Sequence, residues 1–345
     1  VSYYLGNGST NAAYQKLTQT VEEGTVVTFA KVPARTGYVN QGWSSKKNSE
    51  KATAKAKCTV NKNITLYAVQ KKAVQLTFHR CDGSTWQKTT LAKGSSYSLP
   101  GVRDAEGYTF MGWSTKPMQS VSPQYEAEEK ITVNGNVDLY AVVFNRTTET
   151  DLTEDQLPQV DIYKYKQVIF VGDSRTEFME NVLTGMGESA TKNVKFVCSA
   201  GKGLDWFTTT GWAQLYSIVQ HDSNSILSKK TAVIFNFGVN DLSKSADYAE
   251  YYNWIAPQLK SKGCELYFMS VNPVNRLMLP NAGRADRSEA AVRSFNQYMK
   301  ANLSSAYTYI DMYSYLKSTG YSFASDHYGT GTVDDGLHYT TRTYK

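Results

Sequence analysis

The chain has 345 residues, 41% hydrophobic and 20% charged, with a formal net charge of +6. This is a globular composition, and the length suffices for two or three domains, each with its own core. No apolar run approaches the roughly 20 residues that span a bilayer, so no membrane span is expected.

The charge is unevenly placed. Residues 1–150 carry 18 Lys and Arg against 11 Asp and Glu, whereas residues 151–345 carry 19 against 20. A modest basic surface attracts anionic polymers or glycans, or is simply a solvated face. The four cysteines, Cys58, Cys81, Cys198 and Cys264, contain no C-x-x-C and no spacing of a metal site or disulfide framework. They read as small apolar residues, Cys198 in a core strand, and neither metal nor cofactor is expected. Val1 opens neither with Met nor with a signal peptide, so a mature or trimmed chain is expected.

The first 146 residues repeat internally. "GYVNQGWSSKKNS" from Gly37 returns as "GYTFMGWSTKPMQ" from Gly107, and "TVNKNITLYAV" from Thr59 returns as "TVNGNVDLYAV" from Thr132. Each copy opens with a strand and a tight turn, where Asn7-Gly8 and Asp82-Gly83 are expected to supply positive φ angles. Trp43 and Trp113 are equivalent, as are Tyr67 and Tyr140, and large aromatics repeated in a small module are expected in its core. Two small β-rich modules follow, residues 1–72 and 73–146. They resemble the Listeria-Bacteroides repeat of bacterial surface proteins, which implies a β-grasp-like fold and an extracellular or cell-surface location. Residues 147–165, polar and aperiodic, read as a linker.

From residue 166 to 345 the pattern alternates. "QVIFV" (167–171), "VKFVC" (194–198), "AVIFNF" (232–237), "ELYFMSV" (265–271) and "YTYIDMY" (307–313) read as strands. "TEFMENVLTGM", "DYAEYYNWIAPQLKSKG" and "RSEAAVRSFNQYMKANL" have helical spacing. Alternation of this kind predicts an α/β domain, a parallel sheet wrapped by helices, with its site at the carboxyl ends of the strands.

Small or polar clusters fall at that edge: Gly172-Asp173-Ser174 after the first strand, Gly201 and Gly203 in "SAGKG" after the second, and Asn240 in "GVND" after the third. Late in the chain "DDGLHYT" adds Asp335 and His338. Ser174 and Glu177 have the S-x-x-E spacing of a helix capping box. Acyl transfer needs a hydroxyl, a base, a carboxylate and oxyanion donors. Ser174, His338 and Asp335 fill the first three roles, and the N–H groups of Ser174 and Gly203 with the Asn240 amide fill the last. A glycine at 203 lets its N–H approach a substrate oxygen with no Cβ in the way, and Gly201 is its competitor. His79, His221 and His327 have no such partner pattern, and His327, the only other late histidine, is the rival to His338.

In order and position these blocks resemble the SGNH/GDSL hydrolase family over residues 166–345, which implies a flavodoxin-like three-layer α/β/α fold. The resemblance makes Ser174 the nucleophile, Gly203 and Asn240 oxyanion donors, and Asp335 with His338 the D-x-x-H pair. Arg175 replaces the family's leucine, either to contact substrate or to anchor the nucleophile turn through an ion pair. Cys198 stands near a common asparagine, and a final helix commonly follows the histidine. The expected function is a secreted or surface serine esterase removing short acyl groups, acetyl first among them, from carbohydrate. Anionic wall polymer or glycan is the expected partner of the repeats, with no nucleic acid. A glycan-binding surface adhesin and a lipid-directed esterase are the alternatives.

Overall fold

The computed structural model describes residues 1–105, 107–117, 121–146, 165–187, 192–222, 230–325 and 334–344. The expected linker, Tyr165 apart, lies outside these residues, as does His327. Two compact units form: Val1–Ser98 with Lys130–Tyr140, and Leu99–Glu129 with Ala141–Lys345.

The first unit holds β1 (Ser2–Tyr4), α1 (Ala12–Gln15), β2 (Thr25–Thr28), β3 (Tyr38–Ser44), β4 (Lys57–Val60), β5 (Thr65–His79), β6 (Thr85–Ala92) and β7 (Ser95–Ser98). β8 (Tyr108–Ser114) belongs to the second unit; β9 (Lys130–Val133) and the first residues of β10 (Val137–Asn145) return to the first. The sequence boundary at residue 73 falls inside the continuous strand β5. Its first half pairs parallel with β1, Leu66 opposite Tyr3, and its second half pairs parallel with β10, Phe78 opposite Leu139. Each repeat therefore lays its last strand parallel to its first. Trp43 is buried among Tyr3, Tyr14 and Leu66 and donates Nε1–H to Ala30 O at 2.6 Å. Tyr67 and Tyr140 are only half-buried, not core. At the turns only Gly8 and Gly83 take positive φ, +82° and +84°; Asn7 and Asp82 instead accept from the N–H groups of Ser9 and Ser84.

In the second unit β11 (Gln167–Gly172), β12 (Val194–Cys198), β13 (Thr231–Asn236), β14 (Cys264–Met269) and β15 (Tyr307–Ile310) form a wholly parallel sheet in the order β12-β11-β13-β14-β15. This is the flavodoxin-like order 2-1-3-4-5. Five of the six residues in both β11 and β13 are buried, so both faces are covered, as a parallel sheet requires. The helices are α2 (Ser174–Gly185), α3 (Leu204–Trp206), α4 (Trp212–Asp222), α5 (Ser245–Ser261), α6 (Glu289–Asn302), α7 (Met312–Thr319) and α8 (Thr341–Tyr344). Residues Phe207–Gly211 join α3 to α4 in π geometry. On α5, Tyr248, Tyr252, Ile255 and Leu259 make the inward stripe; on α6, Val292, Phe295 and Met299 do the same.

Sequence reading missed α3 and α4, because "TTTG" at 208–211 breaks the helical pattern with β-branched residues and glycine. It also extended the fifth strand to residue 313, past its end at Ile310 and into the start of α7. After β15 an antiparallel pair, β16 (Phe323–Ser325) and β17 (Asp334–Tyr339), completes the chain before α8. The Leu99–Glu129 part of the second repeat packs within this unit. Met111 and Val142 share a core with Met278, Leu316, Tyr321, Phe323 and Tyr339.

The register levels the strand ends that matter. Gly172 lies opposite both Cys198 and Asn236, so the loops after β12, β11 and β13 leave one edge side by side.

Candidate active site

Strand β11 gives way to α2 within two residues. Gly172 has no room for a Cβ, which would collide with the Thr176 hydroxyl and the Asn236 carbonyl. The helix cap is Asp173, not Ser174: Asp173 Oδ1 accepts from Arg175 N at 3.0 Å, and its carbonyl accepts from Thr176 N and Glu177 N. The cap therefore lies one residue ahead of the expected S-x-x-E box, and the Ser174 hydroxyl is released from capping.

That hydroxyl is hydrogen-bonded to His338. Ser174 Oγ lies 2.8 Å from His338 Nε2, and His338 Nδ1 lies 2.6 Å from Asp335 Oδ2. The other carboxylate oxygen, Asp335 Oδ1, accepts from the N–H groups of Leu337 and His338, each at 2.8 Å. Gly336, at φ +68°, makes the left-handed turn that folds the carboxylate back over its own strand. All three side chains are buried. Burial lowers the His338 pKa below its usual 6.5, outweighing the Asp335 contacts that raise it, so the ring is a neutral base at neutral pH. Burial works to raise Asp335, but its bonds to His338 and the two N–H groups hold it below the ordinary carboxylate value.

Asp173 is the opposite case. Burial pushes it up to about 6, against the lowering influence of the Arg175 N–H and guanidinium. A carboxyl with a folded pKa above its unfolded 3.8 contributes stability that is present below pH 3.8 and lost as pH rises through 6. Asp173→Asn keeps the acceptor for Arg175 N without the buried charge. Its stability advantage over wild type is expected to open between pH 4 and 6, reaching at most about 3 kcal/mol by pH 7.5. Urea unfolding at pH 4 and at pH 7.5 checks this, and a gap independent of pH would contradict it.

On the second loop Gly203 caps α3, and a Cβ there would strike the Asp241 carboxylate. Asp241, to which the sequence assigns no role, accepts from Leu204 N at 2.9 Å and from Tyr248 OH at 2.8 Å. It thus ties the glycine loop to the loop after β13. Gly201 is glycine for a different reason, its φ of +68°. On the third loop Asn240 donates from Nδ2 to Lys202 O at 2.8 Å and accepts at Oδ1 from Arg287 at 2.9 Å. An amide has two such hydrogens, so the second can serve an oxyanion. Beside Asn240 opens a cleft of 430 Å³, lined by Val239, Leu242, Ser243, Arg276, Arg287 and Ser288 among others.

Arg175 takes the anchoring role of the two expected for it, by other means than an ion pair. It is 2% exposed, and its guanidinium donates to three backbone carbonyls, Leu337 O at 2.9 Å, Asn272 O at 2.9 Å and Pro273 O at 2.8 Å. It anchors the nucleophile turn, but through carbonyls rather than an ion pair, and is shut off from solvent. Arginine suits this because its fork presents several donors at fixed angles. Two further arginines were not legible as site residues. Arg284 Nη2 lies 3.3 Å from Asp335 Oδ2, and Arg287 also donates to Val239 O at 2.6 Å. Cys198 is half-buried rather than core, with Sγ 3.2 Å from Glu180 Oε2. Phe178 stacks on His338, and Tyr344 of the short helix α8 stacks on Phe178. His79, in the first unit, bonds Gly83 O and Asp138 and stacks on Tyr140.

A buried hydroxyl, imidazole and carboxylate in this order can generate an alkoxide-like nucleophile, and level loops with N–H donors can receive a developing oxyanion. Among solved structures, a Bacteroides fragilis protein proposed to be an acylhydrolase is similar at 16% identity and TM-score 0.35, over 52% of this chain and 81% of that one. A Slackia heliotrinireducens protein proposed to be an SGNH hydrolase is similar at 13% identity and TM-score 0.37, over 52% and 93%. Scores at this level leave the fold to the sheet order and the site to its own hydrogen bonds. A search of curated proteins gives no match. The repeats stand differently: the Listeria-Bacteroides repeat domain matches residues 1–69 and again 75–142. Ahead of its parallel-sheet part, then, this chain carries two Listeria-Bacteroides repeats.

Proposed function

We propose that the chain is a serine esterase that removes short acyl groups, acetyl first among them, from carbohydrate at a bacterial surface or outside the cell. The observation that carries this reading is the relay from Ser174 Oγ through both ring nitrogens of His338 to Asp335. Ser174 Oγ attacks the ester carbonyl as His338 Nε2 takes its proton. The tetrahedral oxyanion is met by the N–H groups of Ser174 and Gly203 and by the Asn240 amide. The sugar alkoxide leaves with the proton from His338, giving an acyl-enzyme. Water then gives its proton to the same nitrogen and attacks the acyl carbon; the bond from acyl carbon to Ser174 Oγ breaks as His338 returns the proton to Oγ, releasing the acid and the free serine. Hydroxyls and charged groups in the cleft beside Asn240 fit a hydroxyl-rich alcohol moiety. The basic repeats, of a family found in surface proteins, support the location and an anionic wall polymer or glycan as their partner.

Acetate release from a panel of acetylated polysaccharides and short p-nitrophenyl esters tests the reading. Release by wild type and none by Ser174→Ala is the expected result. Binding of the same glycans with no hydrolysis of any ester would replace it with a surface adhesin.

A further inference from the structure

The loop at residues 272–275 touches both the residue after the nucleophile and the Asp335–His338 turn. Its Asn272 and Pro273 carbonyls hold Arg175, immediately behind the nucleophile, and Pro273 O also accepts from Tyr339 OH at 2.6 Å. Asn275 N donates to Gly336 O at 2.8 Å, gripping the turn between Asp335 and His338 at its middle residue. The approach there is backbone to backbone, since a Cβ on Gly336 would collide with the Asn275 carbonyl. The side chain of Asn275 in turn points into the second repeat. Its Nδ2 donates to Asp104 Oδ1 at 3.0 Å and lies 3.2 Å from Val102 O. Asp104 is itself buried and fixed by Phe110 N, which donates to the same Oδ1 at 2.9 Å. The Leu99–Glu129 segment is held in place independently, by Lys317 Nζ on Met111 O and Glu126 and by Arg293 on Ala127 O.

We propose that the Leu99–Glu129 segment of the second repeat is a positioning element for the Asp335–His338 turn, acting through Asp104 and Asn275 on Gly336. The proposal rests on the esterase reading for its kinetic test. It makes half of a repeat, whose family relation concerns surface proteins, an integral part of the hydrolytic site. The physical reason is that the turn projects from a two-stranded pair outside the parallel sheet and needs lateral contacts to be held to within a fraction of an ångström. Asp104 and Asn275 are positioning residues in this account and do not meet substrate.

Asp104→Ala and Asn275→Ala are to be compared with Asp104→Asn, which retains the Oδ1 acceptor. On p-nitrophenyl acetate the two alanine variants are expected to lose about 10- to 100-fold in kcat with KM within about twofold, because misplacing the base affects the transition state rather than ground-state binding. Asp104→Asn is expected to recover kcat to within about threefold of wild type. Alanine variants that melt lower yet keep wild-type kcat per folded molecule would overturn the proposal and leave the contact merely structural. The ring ¹⁵N resonances of His338 give a second readout that needs no substrate. They are expected to shift in Asp104→Ala and to return in Asp104→Asn; unchanged resonances would also overturn the proposal. If wild type hydrolyses no ester, the esterase reading falls and the resonances alone decide whether the segment holds the turn.

Discussion

Ser174→Ala is expected to lower kcat on a short ester on the order of 10⁶-fold, and His338→Ala by a similar factor, while the double variant falls no further. The reason is that the 2.8 Å hydrogen bond joins hydroxyl and imidazole into one device: without the base the hydroxyl keeps its proton, and without the hydroxyl the base has nothing to activate. Residual turnover would come from the loops around Gly203 and Asn240, which neither substitution touches. The wild-type pH profile carries the same information. Burial holds the His338 pKa below 6.5, so activity is expected to persist as pH falls past 6.5 and to fade only when the imidazole protonates at lower pH. Steady-state and single-turnover kinetics from pH 4.5 to 9 check both. Single variants whose losses multiply in the double, or a Ser174→Ala enzyme retaining more than about one-hundredth of wild-type kcat, would show that the two groups do not act together.

Lys317→Met is expected to destabilise the second unit by about 3–5 kcal/mol, or roughly 10 °C in melting temperature, at pH 7.5. Lys317 is 5% exposed and lies 2.9 Å from Glu126 and 3.2 Å from Glu289, while donating to the Met111 carbonyl. Burial works to lower its pKa, but the phenols of Tyr321 and Tyr313 and the two carboxylates hold it well above the usual ammonium value, so it is charged. Burial pushes Glu289 upward, against the pull of Lys317. Removing the ammonium takes the nearest counter-charge from two carboxylates and leaves Glu289 only the more distant influence of Arg293, and that poorly compensated burial is the source of the loss. Two consequences separate this from simple loss of packing. Adding Glu126→Gln and Glu289→Gln to Lys317→Met is expected to recover most of the stability. The deficit of the single variant is also expected to shrink as pH falls toward 5, because the stranded Glu289 carboxyl, which burial already pushes upward, protonates. Thermal unfolding at pH 7.5 and 5 measures both, and a loss that is small, or equal at the two pH values, would contradict the account.

Much of this protein was legible in its residues. The five apolar runs from Gln167 onward are strands because a sheet buried on both faces demands nearly continuous hydrophobic segments, and that signal is local. The placement of Ser174, Gly203 and Asn240 at strand ends followed from the same alternation, and the matched blocks around Trp43 and Trp113 marked the repeat. What only the tertiary structure decided depends on contacts between distant segments. Arg175 is an anchor because the carbonyls of residues 272, 273 and 337 surround it, and nothing within a few residues of position 175 encodes that. Asp241 owes its place to Leu204 and Tyr248, and Asp104 to Asn275, 171 residues away. The second repeat is divided between two compact units because burial follows shape complementarity and buried charge, whereas repetition in sequence follows only the pattern within each copy. Periodicity and motif order thus determined which residues sit at the sheet edge; long-range hydrogen bonds, which leave no periodic trace, decided what each of them holds.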